Sequence, residues 1–535
     1  MRSKSNSLAK RGSARAAQAR ATGPGLAVVT SDDACDTDHE ASLPPGEAVI
    51  RALDAAPDAA VDEVELGARE LAELSARGSH LRRVRRRRPR EDRPAPARGM
   101  ASEPRLRGTS VAWRVALAIA VLIAFAVVLA EGTLSVLLAP GASSALVMVL
   151  AGSGVLASAY FVMTLWHALR YRATPAYSDA ALPRLTVIVP AYNEGAAVRV
   201  ALESALASDY PTEKLQVIAI DDGASDDTWA HIEAVAEAHP GRVLAIKQPK
   251  NGGKREALKT GFELAEGELV VTVDSDSKLE RNALRAIVAP MISDREVAAV
   301  AGRVLVLNRE DNLLTRLLSA RFFITFDLAR AAQSRFGAVL CTPGALSAYR
   351  MSAVRAVLER WSTQTFLGQP CTIAEDRALT TWLLREGHRS VYQRTAVVET
   401  LMPTTLGRMA RMLIRWERGN IREDLVMLPL LARRWRPRDQ WWPSFEIVME
   451  LVQYPLAWIG LALVAARLAA QPDALFAVAG IVVLGAVVQT LYTLRSHRAS
   501  DFFFGVGYAL FAFVGLWWVF PYSLLTVRDG RWLTR

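Results

Sequence analysis

Long apolar runs flank a polar centre, in which short apolar runs alternate with polar stretches. Residues 115–139 and 145–166 form two long runs before the polar centre, and three more follow it, at 444–468, 474–494 and 502–527. A helix needs roughly 20 residues to cross the apolar core of a bilayer, so each run is long enough to span a membrane. The pattern predicts a multi-pass membrane protein in which a polar domain is embedded between transmembrane α-helices.

The charges that flank these runs predict which side of the membrane the polar domain faces. Arginines precede the predicted transmembrane hairpin at 106–172, and Arg170 and Arg172 close it. Because cytoplasmic flanks carry an excess of Lys and Arg, we expect the following domain to lie in the cytoplasm, at the inner (plasma) membrane. Three further spans at 443–528 would put the basic tail at 529–535 outside. The sequence leaves open whether one run lies at the interface, the last run bends at Pro521, or the tail breaks the charge rule.

The polar centre has the alternation of an α/β sheet. Strand-like runs end in polar loops and are separated by helical stretches; they read RLTVIVPAYNE, KLQVIAIDDGASDD, RVLAIKQPKNGGKREAL and ELVVTVDSDS. This alternation predicts a doubly wound, mostly parallel sheet, in which functional groups gather at the carboxyl ends of the strands. The polar side chains at those positions are Asn193, Glu194, Asp221, Asp222, Asp274 and Asp276.

Two of these carboxylates follow one strand directly. The run 269–273 has the pattern of a buried strand, and Asp274 and Asp276 come after it with one serine between them. Like charges so close together are costly unless a positive charge lies near both. A solvated turn is the ordinary interpretation of a lone D-x-D. The alternative is a bound divalent cation, because carboxylate oxygens suit Mg²⁺ or Mn²⁺.

The composition argues against several classes of site. Of the 535 residues, 51% are hydrophobic, and the three cysteines, Cys35, Cys341 and Cys371, are widely spaced without a C-x-x-C pattern. This spacing argues against a disulfide framework and a zinc site, and it suits a reducing compartment. The seven histidines include no H-x-x-x-H pair, so a histidine-based metal centre is not expected.

The net charge of +10 has its strongest cluster in an N-terminal arm, residues 1–105, whose composition predicts disorder. The cluster reads LRRVRRRRPR, residues 81–90. No aromatic interleaving or recognisable nucleic-acid-binding module accompanies it, so the predicted partner is an anionic lipid bilayer and not nucleic acid. The arm does not have the pattern of a signal peptide, because no apolar core directly follows its basic start.

Five motifs in the polar centre carry a resemblance to a known family. They are VIVPAYNE, IDDGASDD, VDSDS, AEDRALT and RMLIRW, in the order expected of inverting family 2 glycosyltransferases with a GT-A fold. The details resemble hyaluronan synthases and the related chitin and nodulation chitooligosaccharide synthases, closely over residues 180–425. The resemblance implies an α/β GT-A domain at 180–403, interfacial helices with an RxxRW-type motif at 404–440, and C-terminal transmembrane helices at 443–528.

The resemblance also implies a nucleotide-sugar donor site at the strand ends. Asp274 and Asp276 would hold Mn²⁺ or Mg²⁺, which as a Lewis acid stabilises the leaving UDP. Ordinary turn chemistry at strand ends and a solvated basic turn are the alternatives for the other positions. The residues implied to contact the UDP-sugar are Tyr192, Glu194, Asp222, Lys254, Arg255, Asp274 and Arg415.

Acceptor activation and binding are implied further along the chain. Asp376 of the AEDR motif matches the family's general base, which takes the proton from the acceptor hydroxyl; Glu375 is the alternative, and both residues also suit a helix N-terminus. Trp416 would offer a flat face to an acceptor sugar. Cys341 would border the acceptor site, although a buried cysteine is more commonly a packing residue. Met412 stands where the family pattern Gln-x-x-Arg-Trp has its Gln, whose amide helps form the acceptor site in the family. The chain therefore departs from the family pattern at the acceptor site.

These features together predict a processive inverting glycosyltransferase. It would polymerise sugars, N-acetylglucosamine among them, from UDP-sugar donors at the cytoplasmic face and pass the growing polysaccharide acceptor through its membrane helices. The departure at Met412 keeps a non-processive alternative, which glycosylates a lipid or makes short oligosaccharides. A catalytically inert scaffold or transporter is a third interpretation, and carboxylates at successive strand ends disfavour it.

Overall fold

The computed structural model describes residues 144–431, 441–496, 498 and 500–530. These ranges contain the second apolar run, most of the polar centre and the three apolar runs that follow it. The predicted N-terminal arm, the predicted span at 115–139, Cys35 and the tail residues 531–535 lie outside the described residues.

The strands of the polar centre are short and mostly buried. Their apolar, β-branched composition suits positions covered on both faces. Within the described residues they are β1 (Leu185–Ala191), β2 (Leu215–Asp221), β3 (Val243–Lys247), β4 (Leu269–Thr272), β5 (Ser277–Leu279), β6 (Val297–Val306), β7 (Ser347–Arg350), β8 (Thr365–Phe366), β9 (Gln369–Pro370) and β10 (Arg389–Thr400).

The helices fall into a group around the sheet and a longer apolar group. Those up to β10 are α1 (Ser144–Leu169), α2 (Ala197–Leu206), α3 (Thr228–Ala238), α4 (Lys254–Leu264), α5 (Ala283–Ser293), α6 (Leu313–Phe322), α7 (Arg330–Ser334), α8 (Met351–Ser362) and α9 (Glu375–Arg385). A π-helical segment, Phe323–Ala329, joins α6 to α7 without a break. The later helices are α10 (Leu406–Met427), α11 (Trp441–Ala470), α12 (Leu475–Thr490), α13 (Ser500–Gly515) and α14 (Val519–Leu525).

The main sheet has the order β3-β2-β1-β4-β7-β6-β10-β5. β1 pairs in parallel with β2 and β4, β2 pairs in parallel with β3, and β6 pairs in parallel with β10. β7 is antiparallel to both of its neighbours, and β5 is antiparallel to β10. The predicted doubly wound, mostly parallel sheet is therefore confirmed, and short antiparallel strands complete it.

Alternation along β1 divides the core of the domain in two. Val187 and Val189 belong to one core cluster, which includes residues of α2 and α5, whereas Ile188 belongs to a second cluster with Phe262 of α4 and Trp361 of α8. Successive strand residues point to opposite faces, so a continuous apolar strand is covered by helices on both sides. With both faces covered, polar groups emerge at the ends of the strands.

The apolar runs after the polar centre form helices. Within the described residues, two helical stretches are long and apolar enough to cross a membrane, Ser444–Ala462 in α11 and Val478–Arg495, which is α12 with the short 3₁₀ turn after it. α13 and α14 meet the same criterion only together, and they are bent by 52°. The bend lies between Gly515 and Val519, before Pro521, which is inside α14.

One amphipathic helix joins the sheet to these apolar helices. α10 contacts α9 on its domain side and α11 and α14 on the other. Its buried residues include Met412, Leu413 and Arg418, and its sequence contains the RMLIRW motif. The motif therefore lies where the polar domain meets the candidate membrane helices.

Candidate active site

A cleft of about 1250 Å³ opens at the ends of β1 and β4. β1 lies between β2 and β4, so the order of the strands reverses there, and ligands of such sheets bind outside the strand ends at this point. The structure brings most of the predicted donor, metal and acceptor positions into this one space. The predicted residues that line it are Tyr192, Glu194, Asp222, Lys254, Asp274, Asp276, Cys341, Asp376, Arg415 and Trp416.

Arg255 is the predicted donor contact that the structure places elsewhere. Its side chain is buried, donates to the carbonyl oxygen of Trp361 at 2.5 Å and lies 5.2 Å from the centre of the Trp361 ring. Both Lys254 and Arg255 begin α4, and consecutive helix residues point in directions about 100° apart. Because Lys254 faces the cleft, Arg255 faces the core, so its position gives no support to a role at the diphosphate.

Lys254 lies between two carboxylates. Its Nζ contacts Oδ1 of Asp274 and lies 3.0 Å from Oε1 of Glu375. Burial opposes the charged amine, but the charges of Asp274, Glu375 and Asp376 raise the pKa of Lys254 well above its usual range. Burial likewise opposes ionisation of Glu375, yet Lys254 lowers the pKa of that carboxyl. Glu375 is therefore held as the ionised partner of Lys254.

Asp376 has different partners from its neighbour Glu375. One oxygen, Oδ2, accepts a hydrogen bond of 2.8 Å from the backbone N–H of Gly344, and Oδ1 accepts one of 2.7 Å from the N–H of Arg377. Both acids lie in the first turn of α9, where the helix dipole favours negative charge. Burial and the charge of Glu375 nevertheless raise the pKa of Asp376. The two adjacent acids thus have pKa values shifted in opposite directions.

The backbone is strained just before these two acids. Ala374 has φ = 54°, in the left-handed region that residues with a Cβ rarely adopt. Its side chain lies directly against Gly419 of α10, where an added Cβ would overlap the Cβ of Ala374. The start of α9 is therefore fixed by its contact with α10.

Asp274 and Asp276 have the composition of a site for a hard divalent cation. Within the described part of the chain, no group of three or more His, Cys, Asp and Glu residues forms a metal site by itself. Burial and the neighbouring Asp274 charge raise the pKa of Asp276 to about 6, although Thr400 and Ser277 donate hydrogen bonds to it. An elevated pKa in a carboxylate pair reflects negative charge that a cation would balance. The pair fits Mg²⁺ or Mn²⁺ whose remaining ligands come from a substrate.

The other end of the cleft is built from the loops after β1 and β2. Asp222 accepts a hydrogen bond of 2.8 Å from the N–H of Gly252, and burial raises the pKa of this carboxyl. Glu194 accepts a hydrogen bond of 3.0 Å from the hydroxyl of Ser275, which lies between the two metal-site acids in sequence. Tyr192 is half-buried in the cleft wall. One hydrogen bond thus joins the loop after β1 to the serine between the two acids, and another joins the loop after β2 to the loop before α4.

The side of the cleft next to the candidate membrane helices is aromatic. The ring centre of Trp416 lies 5.9 Å from that of Phe322 and 6.3 Å from that of Phe326. The spacing of these phenylalanines alone predicts an apolar helix face in the core or at the membrane interface, yet Phe322 and Phe326 also line the cleft. Trp416 is half-buried, and its neighbours hold it at the junction of α6 and α10.

Arg415, Met412 and Cys341 complete this wall. Burial lowers the pKa of Arg415, and the charges of Glu375, Asp376, Asp274 and Asp276 oppose that shift, so its guanidinium faces all four acids. Met412 is buried at the cleft wall and presents a thioether where the family pattern has an amide. Burial raises the pKa of the Cys341 thiol to about 12, so it is a neutral wall residue.

Sequence reasoning missed Arg377, which follows the candidate base. Its guanidinium contacts Asp424 of α10 and lies 3.0 Å from Oε2 of Glu450 in α11. This buried cluster ties the start of α9 to a candidate membrane helix. A signal was present, because Glu450 is a carboxylate inside an apolar run, and ionisable residues in predicted spans are commonly functional.

Comparison with known proteins agrees with this geometry. Residues 183–419 match the model of the family described as "Glycosyltransferase like family 2". An N-acetylglucosaminyltransferase of Neorhizobium galegae is 31% identical over 368 residues, which are 66% of this chain and 81% of the relative. A hyaluronan synthase of Streptococcus pyogenes is 32% identical over 357 residues, 66% of this chain and 83% of the relative.

A solved structure supports the fold. A mannosyltransferase from Pyrobaculum calidifontis, in complex with GDP-Man and Mn²⁺, superposes with a TM-score of 0.50 at 23% identity, covering 69% of this chain and 99% of the other. This likeness confirms the predicted GT-A fold, and the family match and the relatives confirm the predicted glycosyltransferase activity; such an enzyme takes a sugar donor and an acceptor. The chain belongs to glycosyltransferase family 2.

Proposed function

We propose that this protein is a processive inverting glycosyltransferase of the inner (plasma) membrane. It polymerises sugars that include N-acetylglucosamine from UDP-sugar donors at the cytoplasmic face and passes the polysaccharide through its membrane helices. One observation carries the proposal. The cleft that begins at the strand-end acids continues past Trp416 and is lined at its far end by Tyr508 of α13 and Phe520 of α14.

We infer that Asp376 takes the proton of the acceptor hydroxyl. As the acceptor hydroxyl oxygen attacks the anomeric carbon, the bond from that carbon to the diphosphate oxygen breaks, and UDP leaves with the bonding electrons. Asp376 takes the hydroxyl proton, for which its raised pKa is suited. Glu375 is less suited because its carboxylate is engaged by Lys254. Environments that shift the pKa values of neighbouring acids apart are typical of such a division of roles.

The donor occupies the part of the cleft near the strand ends. Lys254 and Arg415 provide positive charge for a diphosphate, and charge-assisted hydrogen bonds of this kind are strong. Mn²⁺ or Mg²⁺ held by Asp274 and Asp276 would supply further positive charge to the leaving group. The base and ribose lie against the loops that carry Tyr192, Glu194 and Asp222.

The acceptor chain occupies the aromatic side of the cleft. Trp416 presents an apolar face with a polar edge, as does Tyr508 further along the wall. At the far end, the rings of Tyr454 in α11 and Phe520 in α14 are stacked with their centres 4.1 Å apart. A sugar chain that extends from Asp376 past Trp416 therefore meets aromatic rings contributed by the candidate membrane helices.

A second function is favoured by one specific observation. Met412 lines the cleft wall, and its thioether is a weak hydrogen-bond acceptor and no donor, unlike the amide of a glutamine. An acceptor chain held less firmly would dissociate after a few additions. The same chemistry would then produce short oligosaccharides or glycosylate a lipid.

Product analysis separates these two functions. The purified protein is placed in lipid nanodiscs with Mn²⁺ or Mg²⁺, and individual radiolabelled UDP-sugars are supplied singly and in pairs. Long labelled polymers support the processive synthase, whereas products of a few sugars or labelled lipid support the second function. Absence of UDP release with every donor tested would overturn both.

A further inference from the structure

The segment that joins α6 to α7 touches the acceptor wall on one face and a candidate membrane helix on the other. Phe322 and Phe326 contact Trp416 on the first face. On the adjacent face, the ring centre of Phe323 lies 5.5 Å from that of Tyr492, in the 3₁₀ turn that ends the second candidate span. Phe322 and Phe326, four residues apart, thus contact Trp416, whereas Phe323 contacts Tyr492.

Asp327, four residues after Phe323, is held by a buried polar network. Oδ1 accepts hydrogen bonds from the hydroxyl of Tyr392 at 2.9 Å and from Nε of Arg394 at 2.7 Å. Oδ2 accepts one of 3.1 Å from the hydroxyl of Tyr492. Arg394 also donates to the hydroxyl oxygen of Tyr492 at 2.9 Å, so Asp327, Arg394 and Tyr492 form a closed set of contacts.

This network anchors the segment at its irregular part. Asp327 is 3% exposed and lies within the π-helical stretch Phe323–Ala329. π-helical turns are rare within α-helices and are frequently found at functional sites. Loss of one of these donors would leave the buried Asp327 carboxylate with one hydrogen bond fewer, which is costly. The register of Phe322 and Phe326 against Trp416 therefore depends on contacts made by the neighbouring face.

We propose that Asp327 is a positioning residue for the acceptor. Through the π-helical segment it sets Phe326 against Trp416, and its bond to Tyr492 makes this placement depend on the position of the second candidate span. The proposal rests on the proposed function, in that Trp416 must contact the acceptor sugar. Asp327 itself does not line the cleft, so its role is to position Phe326 and Trp416.

Two variants and one control test this role in the full-length protein in nanodiscs. Asp327→Asn keeps the shape and removes the charge that holds Arg394, and Tyr492→Phe removes only one hydroxyl. Asp501→Asn is the matched control, because Asp501 is buried, lies 2.7 Å from the guanidinium of Arg309 and also joins the domain to an apolar helix. Within the described residues, neither Asp501 nor Arg309 lines the cleft or forms a hydrogen bond or ion pair with Phe322–Asp327; the carboxylate of Asp501 accepts from Arg309 and from the hydroxyl of Ser496.

The readouts are product length, the acceptor KM and the donor KM, with thermal unfolding measured alongside. We expect Asp327→Asn to raise the acceptor KM or shorten the products about fivefold at unchanged donor KM, and Tyr492→Phe to shift both in the same direction by less. Asp501→Asn should leave the ratio of the two KM values unchanged.

The proposal is overturned if the acceptor KM and product length of Asp327→Asn and Tyr492→Phe equal those of the wild type. It is also overturned if Asp501→Asn changes them as much as Asp327→Asn does, since the effect would then be general destabilisation. If the wild type adds only a few sugars, the processive function fails, but the split between acceptor and donor KM still decides the role of Asp327.

Discussion

The backbone N–H of Gly344 donates a hydrogen bond of 2.8 Å to Oδ2 of Asp376. The same glycine lies against Lys254 and Asp274, since a Cβ at this position would be 2.6 Å from Nζ of Lys254 and 3.0 Å from Oδ1 of Asp274. One residue without a side chain thus separates the candidate base from the candidate metal site. The backbone of Gly344 therefore lies between Asp376 on one side and Lys254 and Asp274 on the other.

This relationship makes Gly344→Ala a strong test of the site. The added methyl group must displace Lys254 or Asp274, or else move the N–H away from Asp376. Misplacement of catalytic groups by about 1 Å can cost about a hundredfold in rate, and we expect a loss of kcat of that order. The measurement is steady-state UDP release with thermal unfolding as a check on folding.

Gly407→Ala is the matched control for that substitution. Gly407 lies in the first turn of α10, and the nearest atom to an added Cβ is Nη1 of Arg411 at 3.9 Å. Alanine also has the higher helix propensity, so activity and stability should be retained. Equal activity of Gly344→Ala and wild type would show that the close approach has no catalytic consequence.

The contact between Gly419 and Ala374 gives a second prediction, with a built-in rescue. Gly419→Ala brings two methyl groups into overlap and should displace the start of α9, lowering kcat by about tenfold or more. Adding Ala374→Gly removes one of those methyl groups, and glycine adopts the left-handed conformation of residue 374 without strain.

The double variant should therefore recover much of the lost activity. Ala374→Gly alone should retain activity, and relief of the strained φ should offset by about 1 kcal/mol the stability lost through the greater freedom of the unfolded chain. Circular dichroism and UDP release measure the two effects. Failure of the double variant to exceed Gly419→Ala would contradict the assigned contact.

Metal binding should depend on pH through Asp276. Only the ionised carboxylate binds the cation, and the pKa of Asp276 is raised to about 6. Affinity for Mn²⁺ should therefore be full above that pH and fall as the pH drops through it, a higher range than for an ordinary aspartate. Titration calorimetry of MnCl₂ with UDP present, on either side of pH 6, measures this dependence.

Two variants show which carboxylate is responsible for the pH dependence of metal binding. Asp276→Ala should lose metal-dependent UDP binding at every pH. Glu280→Gln is a suitable control, because the pKa of Glu280 is also raised, by burial and then by Glu399, but Glu280 does not line the cleft. Calorimetric curves for Asp276→Ala that match the wild type would remove the metal from this pair.

Trp416→Ala should affect the acceptor more than the donor. The indole is packed by Phe322 and Phe326 on the side of the cleft next to the candidate membrane helices, away from the loops assigned to the base and ribose. We expect severalfold shorter products at similar donor affinity, measured by gel separation of labelled polymer and by UDP titration. Products of unchanged length would count against an acceptor platform.

The sequence predicted which carboxylates lie at the strand ends better than it predicted the side-chain contacts around them. Carboxylates that follow buried strands must emerge at the strand ends, so the convergence of Asp222, Asp274 and Asp276 followed from the β/α alternation. Arg255 was grouped with Lys254 in the predicted donor site, because a basic pair in a loop gives no sign of where the helix begins. Once α4 starts at Lys254, the two side chains must diverge.

Other contacts depend on positions far apart in the chain, which pattern reasoning does not reach. The strained φ of Ala374 is maintained by packing against α10, and an alanine gives no indication of a left-handed conformation. Asp327 and Tyr492 are separated by 165 residues, and neither belongs to one of the five motifs that carry the resemblance. The lowered pKa of Glu375 likewise depends on Lys254 of another helix, whereas burial and the charge of Glu375 raise the pKa of Asp376, and sequence patterns show neither the burial nor the lysine contact.

The assignment of Asp376 as the proton acceptor is tested most directly by comparing Asp376→Asn with Glu375→Gln. Each variant is measured for sugar transfer in nanodiscs and for UDP-sugar binding by calorimetry. We expect Asp376→Asn to lose transfer by about a hundredfold to ten-thousandfold while donor binding persists, because the amide cannot take the acceptor proton. Transfer by Asp376→Asn at the wild-type rate, with donor binding intact, would contradict the account.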